Sequence, residues 1–115
     1  MPDTFKVMNR TIQTEIEDSL LYYFNIIKGV VPGDHDLAVA EFARLARYLK
    51  QLRDDLTLYQ NGEINIQAPT ETDFNKCVNM AMDLKKMRVD NENVTLLITN
   101  TTNLINIYNK YKNLN

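Results

Sequence analysis

The sequence predicts an all-α protein folded as an antiparallel four-helix bundle, on three observations. Ala38, Phe42, Leu45, Leu49, Leu52, Leu56 and Tyr59 follow one another at spacings of three and four, which puts them on one helix face and suits helix-on-helix packing. Only three Gly and three Pro interrupt 115 residues, so a few long elements are expected rather than many short ones. The apolar share of 44% and charged share of 24% are those of an ordinary globular domain, and the length suits one core, so residues 1–115 are read as a single domain.

The first helix is predicted over about 4–28. Phe5, Met8, Ile12, Ile16, Leu20, Tyr23 and Ile27 form its seam, Gly29 is a natural stop, and Pro32 follows. Its second half is apolar on more than one face, because Leu21, Tyr22, Phe24 and Ile26 add to the seam. Such a segment either sits deep between neighbours or meets a second chain.

The second helix is predicted over 35–60. Asp34 or Asp36 can cap it and puts negative charge at its positive end. Asn61-Gly62 ends it. Residues 61–70 form the one long interruption, in which Ile64 and Ile66 alternate with polar neighbours. They read as plugs that pin the loop to a bundle end. Ten residues can cross that end, so the third helix need not lie beside the second.

The third helix is predicted over 71–89. Thr70 with Asp73 resembles a capping box, with Asp in place of Glu. Phe74, Cys77, Val78, Ala81 and Leu84 form its seam. The charge sign then flips from Lys85, Lys86 and Arg88 to Asp90 and Glu92. Basic groups suit a helix C-terminus and acidic groups an N-terminus, which predicts a tight turn near 89–91 and a fourth helix over 92–113. Val94, Leu97, Ile98, Leu104, Ile105, Tyr108 and Tyr111 would face inward. A three-four rhythm nevertheless runs through the proposed turn from Leu84 to Tyr108. The alternative is three helices with one long C-terminal helix, about 60 Å long at roughly 1.5 Å per residue.

Net charge is −2 and no segment is strongly basic, so the electrostatic footprint of a nucleic-acid binder is missing. The single cysteine, Cys77, excludes an internal disulfide and a CxxC site; on the inward stripe it reads as a buried thiol. The N-terminus has no apolar secretory core, and the most apolar stretch, 20–31, is too short to span a bilayer. A cytoplasmic protein without membrane contact is therefore expected. Fourteen asparagines, eight of them between Asn91 and Asn115, read as compositional bias, since apolar residues interrupt the tract at helical spacing.

Catalytic signals are sparse. Asp34-His35-Asp36 holds the only histidine and reads as a capped helix start. The three glycines are isolated, so neither a P-loop nor a dinucleotide fingerprint exists. Glu15 and Asp18, three apart on one helix face, are a Mg²⁺-binding pattern. All-α nucleotide pyrophosphohydrolases use two such pairs on neighbouring helices, but this chain has no second pair; Glu41 and Asp83 are single acids that would have to complete the site. Ferritin-like di-iron chemistry needs Glu-x-x-His on two helices, which is absent.

The expected function is therefore a non-catalytic interaction or regulatory protein that needs no cofactor, with a protein partner or self-association. Leu21, Tyr22, Phe24 and Tyr48 are its candidate partner surface. The alternative is a small metal-dependent nucleotide hydrolase built on Glu15, Asp18, Glu41 and Asp83.

Overall fold

A computed structural model describes residues 3–112, and it is all-α. Four helices run in order: α1 Thr4–Ile27, α2 His35–Gln60, α3 Glu71–Val89 and α4 Val94–Lys112. Each matches a predicted helix to within two residues at either end; residue 113, predicted in the last helix, lies outside the described residues.

Each helix starts on a side-chain cap. Asp3 accepts from the Lys6 amide (3.1 Å), Asp34 from Leu37 (3.0 Å), Thr70 from Asp73 (3.1 Å) and Asn93 from Thr95 (2.8 Å). Each such bond satisfies one of the donors that a helix N-terminus leaves open. Of the two candidate caps for α2, Asp34 takes the role and Asp36 falls inside the first turn. At Thr70 only half of the expected capping box forms. The Asp73 carboxylate turns to Lys110 and Tyr111 instead, and the Thr70 amide donates to the Tyr111 hydroxyl at 3.0 Å.

The first three helices end in one motif. The residue after the C-cap takes positive φ, 77° at Gly29, 73° at Gly62 and 54° at Asn91. Its own amide and the next one fold back on the last turn, as in Gly29 to the Ile26 carbonyl (3.0 Å) with Val30 to Asn25 (2.9 Å), and likewise Glu63 to Leu58 (2.9 Å) and Glu92 to Met87 (3.0 Å). That is the Schellman pattern, and Asn is the residue other than Gly that most readily enters it. The turn at 90–93 therefore breaks the chain into two helices, and the continuous C-terminal helix does not form. The greatest extent of the fold, 43 Å, is also too short for a helix of about 60 Å.

α1 packs on α2 and α3, α4 packs on α3 and makes smaller contacts with α1 and α2, and the α2 and α3 backbones do not approach closely. Residues 61–70 cross one end of the bundle diagonally, so α3 runs parallel to α1 rather than beside α2, as the loop length allowed. Ile66 packs against the core from this loop, and Pro69 is buried. We call this the crossing end. The opposite end carries the two short connections, 28–34 and 90–93, and we call it the turn end.

The core follows the predicted seams except in α3 and α1. In α3, Val78 and Ala81 are half-buried along a surface groove, and Met80 and Met87 pack on the core instead. Phe5, Met8, Ile12 and Ile16 are buried as expected, but beyond them the buried positions of α1 are Ser19, Tyr23 and Ile26. Leu20 and Ile27 flank the core instead. Ile26 lies against Gly33, where an added Cβ would come within 2.8 Å of its Cδ1. The return of the chain after α1 thus closes over Ile26. Leu45, Leu49, Leu52 and Leu56 of α2, Cys77 and Leu84 of α3, and Val94, Leu97, Leu104, Ile105, Tyr108 and Tyr111 of α4 complete the interior.

Candidate functional site

The core also contains polar groups that no apolar pattern announces. Asn9, Glu15, Ser19, Glu41, Asp55, Asp73 and Thr101 are buried, and among the described residues no buried side-chain nitrogen or oxygen lacks a hydrogen-bond partner. Burying a polar or charged group is tolerable only when it is paired, so the partners decide what each group is free to do.

Glu15 lies between α1 and α3. The Arg88 guanidinium grips it with two bonds, Nη1 to Oε2 and Nη2 to Oε1 (3.0 Å), while Ser19 Oγ donates to Oε2 and accepts from Arg88, both at 3.0 Å. Arg88 and Glu15 retain only 9% and 4% side-chain exposure. Burial pushes the Glu15 carboxyl above its ordinary range, against the pull of the guanidinium. Glu41 is held the same way within α2, accepting from Arg44 Nε at 2.6 Å and Nη2 at 2.7 Å.

These two grips bear directly on the four acids of the metal reading. Glu15 and Glu41 are committed to arginines, and Asp18 and Asp83 are exposed on α1 and α3. Among the described residues no three His, Cys, Asp or Glu side chains gather where they could hold a metal ion. Asp18 and Glu15 do line a groove of about 340 Å³ between α1 and α3, but its other walls are Thr11 and Thr14 of α1 and Val78, Ala81, Met82 and Lys85 of α3, with no third carboxylate. His35 is exposed and lies 3.4 Å from Asp36. Cys77 is fully buried, and burial pushes its thiol up to about 12, which leaves it protonated and unreactive.

The structure divides the predicted partner surface in two. Tyr22 and Tyr48 are half-buried against the core. Tyr22 donates to Asn91 Oδ1 at 2.6 Å across to the turn after α3; Tyr48 donates to Asn109 Oδ1 at 3.3 Å and meets the Tyr108 ring edge-on. Leu21 and Phe24 face outward, 63% and 43% exposed. The Phe24 ring centroid lies 6.3 Å from that of Phe42 on α2, and Lys28 Nζ sits 4.9 Å over its face, within cation–π reach.

Five of the six tyrosines bond an aspartate or asparagine: to Tyr22 and Tyr48 are added Tyr59 to Asp3 (2.6 Å), Tyr108 to Asp55 (2.9 Å) and Tyr111 to Asp73. Sequence reasoning missed Arg88, Asn9 and Asp55. The one available signal was position: Asn9 and Asp55 each stand beside or between seam residues. Among the described residues no helix is long and apolar enough to cross a membrane. Comparison of the chain with family models, with curated proteins and with solved structures finds no match.

Proposed function

We propose that this protein is a non-catalytic helical interaction module whose contact face is the outer side of α1 near the turn end. One observation carries the reading: Leu21 and Phe24 stand exposed on a helix whose inner face is already fully packed. Large apolar side chains left exposed side by side are one mark of a contact surface. The paired state of the buried carboxylates supports the same reading, because catalytic acids need a free face toward substrate, and Glu15 and Glu41 spend theirs on arginines.

The test is a photo-crosslinking amino acid placed at Leu21, with one at Asp83 on the exposed polar side of α3 as the reference position. In cells of the native host the Leu21 position is expected to give a discrete adduct and the Asp83 position none. No adduct at Leu21, or the same products from both positions, overturns the reading.

A further inference from the structure

The charges around Leu21 and Phe24 are arranged for one particular occupant. Glu17, Leu21, Phe24 and Lys28 are all exposed and follow one another at spacings of four, three and four. That spacing keeps them on one face of the helix, away from the core stripe, and it reads the same in both directions. Its midpoint falls between Tyr22 and Tyr23. Leu21 and Phe24 stand at equal distances on either side of that point, and so do Glu17 and Lys28, about 16 Å apart along the axis at roughly 1.5 Å per residue. The apolar pair lies at the centre and the opposite charges lie at the two ends.

A face with this symmetry is its own complement. When two identical helices pack antiparallel about a two-fold axis, each residue meets the one equally far on the other side of the axis. Here Leu21 meets the partner's Phe24, and Glu17 meets the partner's Lys28, each contact occurring twice. A parallel arrangement would set Glu17 against the partner's Glu17 and Lys28 against the partner's Lys28.

Both charged groups can reach outward. Glu17 has half its side chain exposed, with Arg53 nearby at 3.7 Å, and Lys28 rests on the outer ring of the patch. We infer that the occupant of this face is a second copy of the chain, joined by an antiparallel α1–α1 contact about a two-fold axis between Tyr22 and Tyr23. The inference rests on the interaction reading above and names its partner.

Charge reversal tests it. Glu17→Lys and Lys28→Glu each turn both attractive contacts into repulsive ones, which should weaken self-association about tenfold, since exposed pairs and like-charge contacts are each modest. Mixing the two variants should restore association. One chain then carries lysine at both positions and the other carries glutamate at both, so each of the two contacts again joins opposite charges. Sedimentation equilibrium reads the wild type, each variant and the mixture, with circular dichroism confirming that each is folded. Glu17→Lys also disturbs the neighbouring Arg53, so Lys28→Glu, which alters the other end of the face, serves as the independent second variant.

A dimer that weakens in each variant and returns on mixing supports the inference. A wild type that stays monomeric at its highest soluble concentration overturns it, as does association indifferent to both reversals or a mixture that fails to recover. The two readings separate cleanly. A monomer that crosslinks from Leu21 to a different protein keeps the interaction module and removes the second copy, whereas a monomer with no adduct removes both.

Discussion

The two ends of the bundle pair carboxylates with different partners. At the crossing end, tyrosine hydroxyls and lysines meet aspartates, and the bonds run between helices. Tyr59 ties α2 to Asp3 just before α1, Tyr108 ties α4 to Asp55 of α2 and to Asn9 of α1, and Tyr111 and Lys110 tie α4 to Asp73 of α3. Asn9 also donates to the Leu52 carbonyl at 3.0 Å. At the turn end, arginines meet glutamates. Of these two buried pairs, Glu15–Arg88 bridges two helices, whereas Arg44 reaches Glu41 within its own helix. Most of the exposed large apolar side chains also lie at this end: Leu21, Phe24, Val30, Leu37, Val39, Val89 and Leu96. The contrast separates two jobs. Polar staples at the crossing end fix how four helices meet around a diagonal loop; the turn end is tied by the Glu15–Arg88 pair and the Tyr22–Asn91 bond and leaves apolar side chains exposed.

The largest effect should come from the bridge at the turn end. Arg88→Met strands the Glu15 carboxylate in the interior, a loss of about 3–5 kcal/mol, read as a lowered denaturant midpoint. Replacing both partners with Met should recover most of that loss, because the desolvation cost disappears with the charges. A double variant as unstable as the single would mean that the pair contributes more than its own neutralisation. At the crossing end the staples are several and individually smaller. Tyr108→Phe removes a donor from Asp55 and an acceptor from Asn9 and should cost about 1–3 kcal/mol. A loss as large as that of Arg88→Met would erase the distinction between the ends.

This division of labour was only partly legible in the sequence. Apolar spacing and helix punctuation depend on local rules, so Gly29, Gly62, Asp34 and Thr70 could be placed by inspection, and the seams of α2 and α4 emerged nearly complete. Asn91 was harder, because its left-handed turn interrupts a rhythm that the apolar residues on both sides continue. The polar staples were out of reach for a different reason. Glu15 and Arg88 are 73 residues apart and Asn9 and Tyr108 are 99 apart, so nothing local shows which partner each would meet. Glu15 entered the alternative metal reading because its neighbour Asp18 was visible in the sequence and its bond to Arg88 was not. Tyr22 and Tyr48 read as contact surface because the asparagines that hold them lie on other elements.

Asn91 itself offers the next measurement. Asn91→Ala puts a Cβ-bearing residue without a local hydrogen-bonding side chain at φ 54° and removes the acceptor for Tyr22. It should cost about 1–2 kcal/mol in thermal or chemical unfolding. Asn91→Gly keeps the turn and loses only the Tyr22 bond, so it should cost less. Equal losses would show that the hydrogen bond to Tyr22, and not the turn, holds this end together.

Acid titration probes the crossing end. The Tyr59 hydroxyl bonded to Asp3, and the Lys110 ammonium and Tyr111 hydroxyl bonded to Asp73, hold both carboxyls below their ordinary value of 3.8. A carboxyl whose folded pKa is depressed adds stability that is present above its unfolded pKa and is lost as pH falls through the folded one. Melting temperature should therefore fall in the acid range below that ordinary value. The fall should be shallower in Tyr59→Phe, where Asp3 returns toward its unfolded behaviour. An unchanged acid profile would mean that the backbone cap at Lys6, and not the tyrosine, depresses Asp3.

The smallest effect on stability is expected where the largest effect on contact is proposed. Leu21→Lys adds a charge to a side chain already 63% exposed and pointing away from the core, and surface changes of this kind stay within about 0.5 kcal/mol. Helicity and the unfolding midpoint should match the wild type at concentrations where the chain is monomeric. A similar change at Tyr23, on the inner face of the same helical turn and fully buried, should unfold the protein. If Leu21→Lys instead destabilises the monomer by several kcal/mol, then the turn end uses its apolar side chains for its own cohesion. The two ends would then differ in chemistry but not in purpose, and the outer face of α1 would lose its claim to be a contact surface.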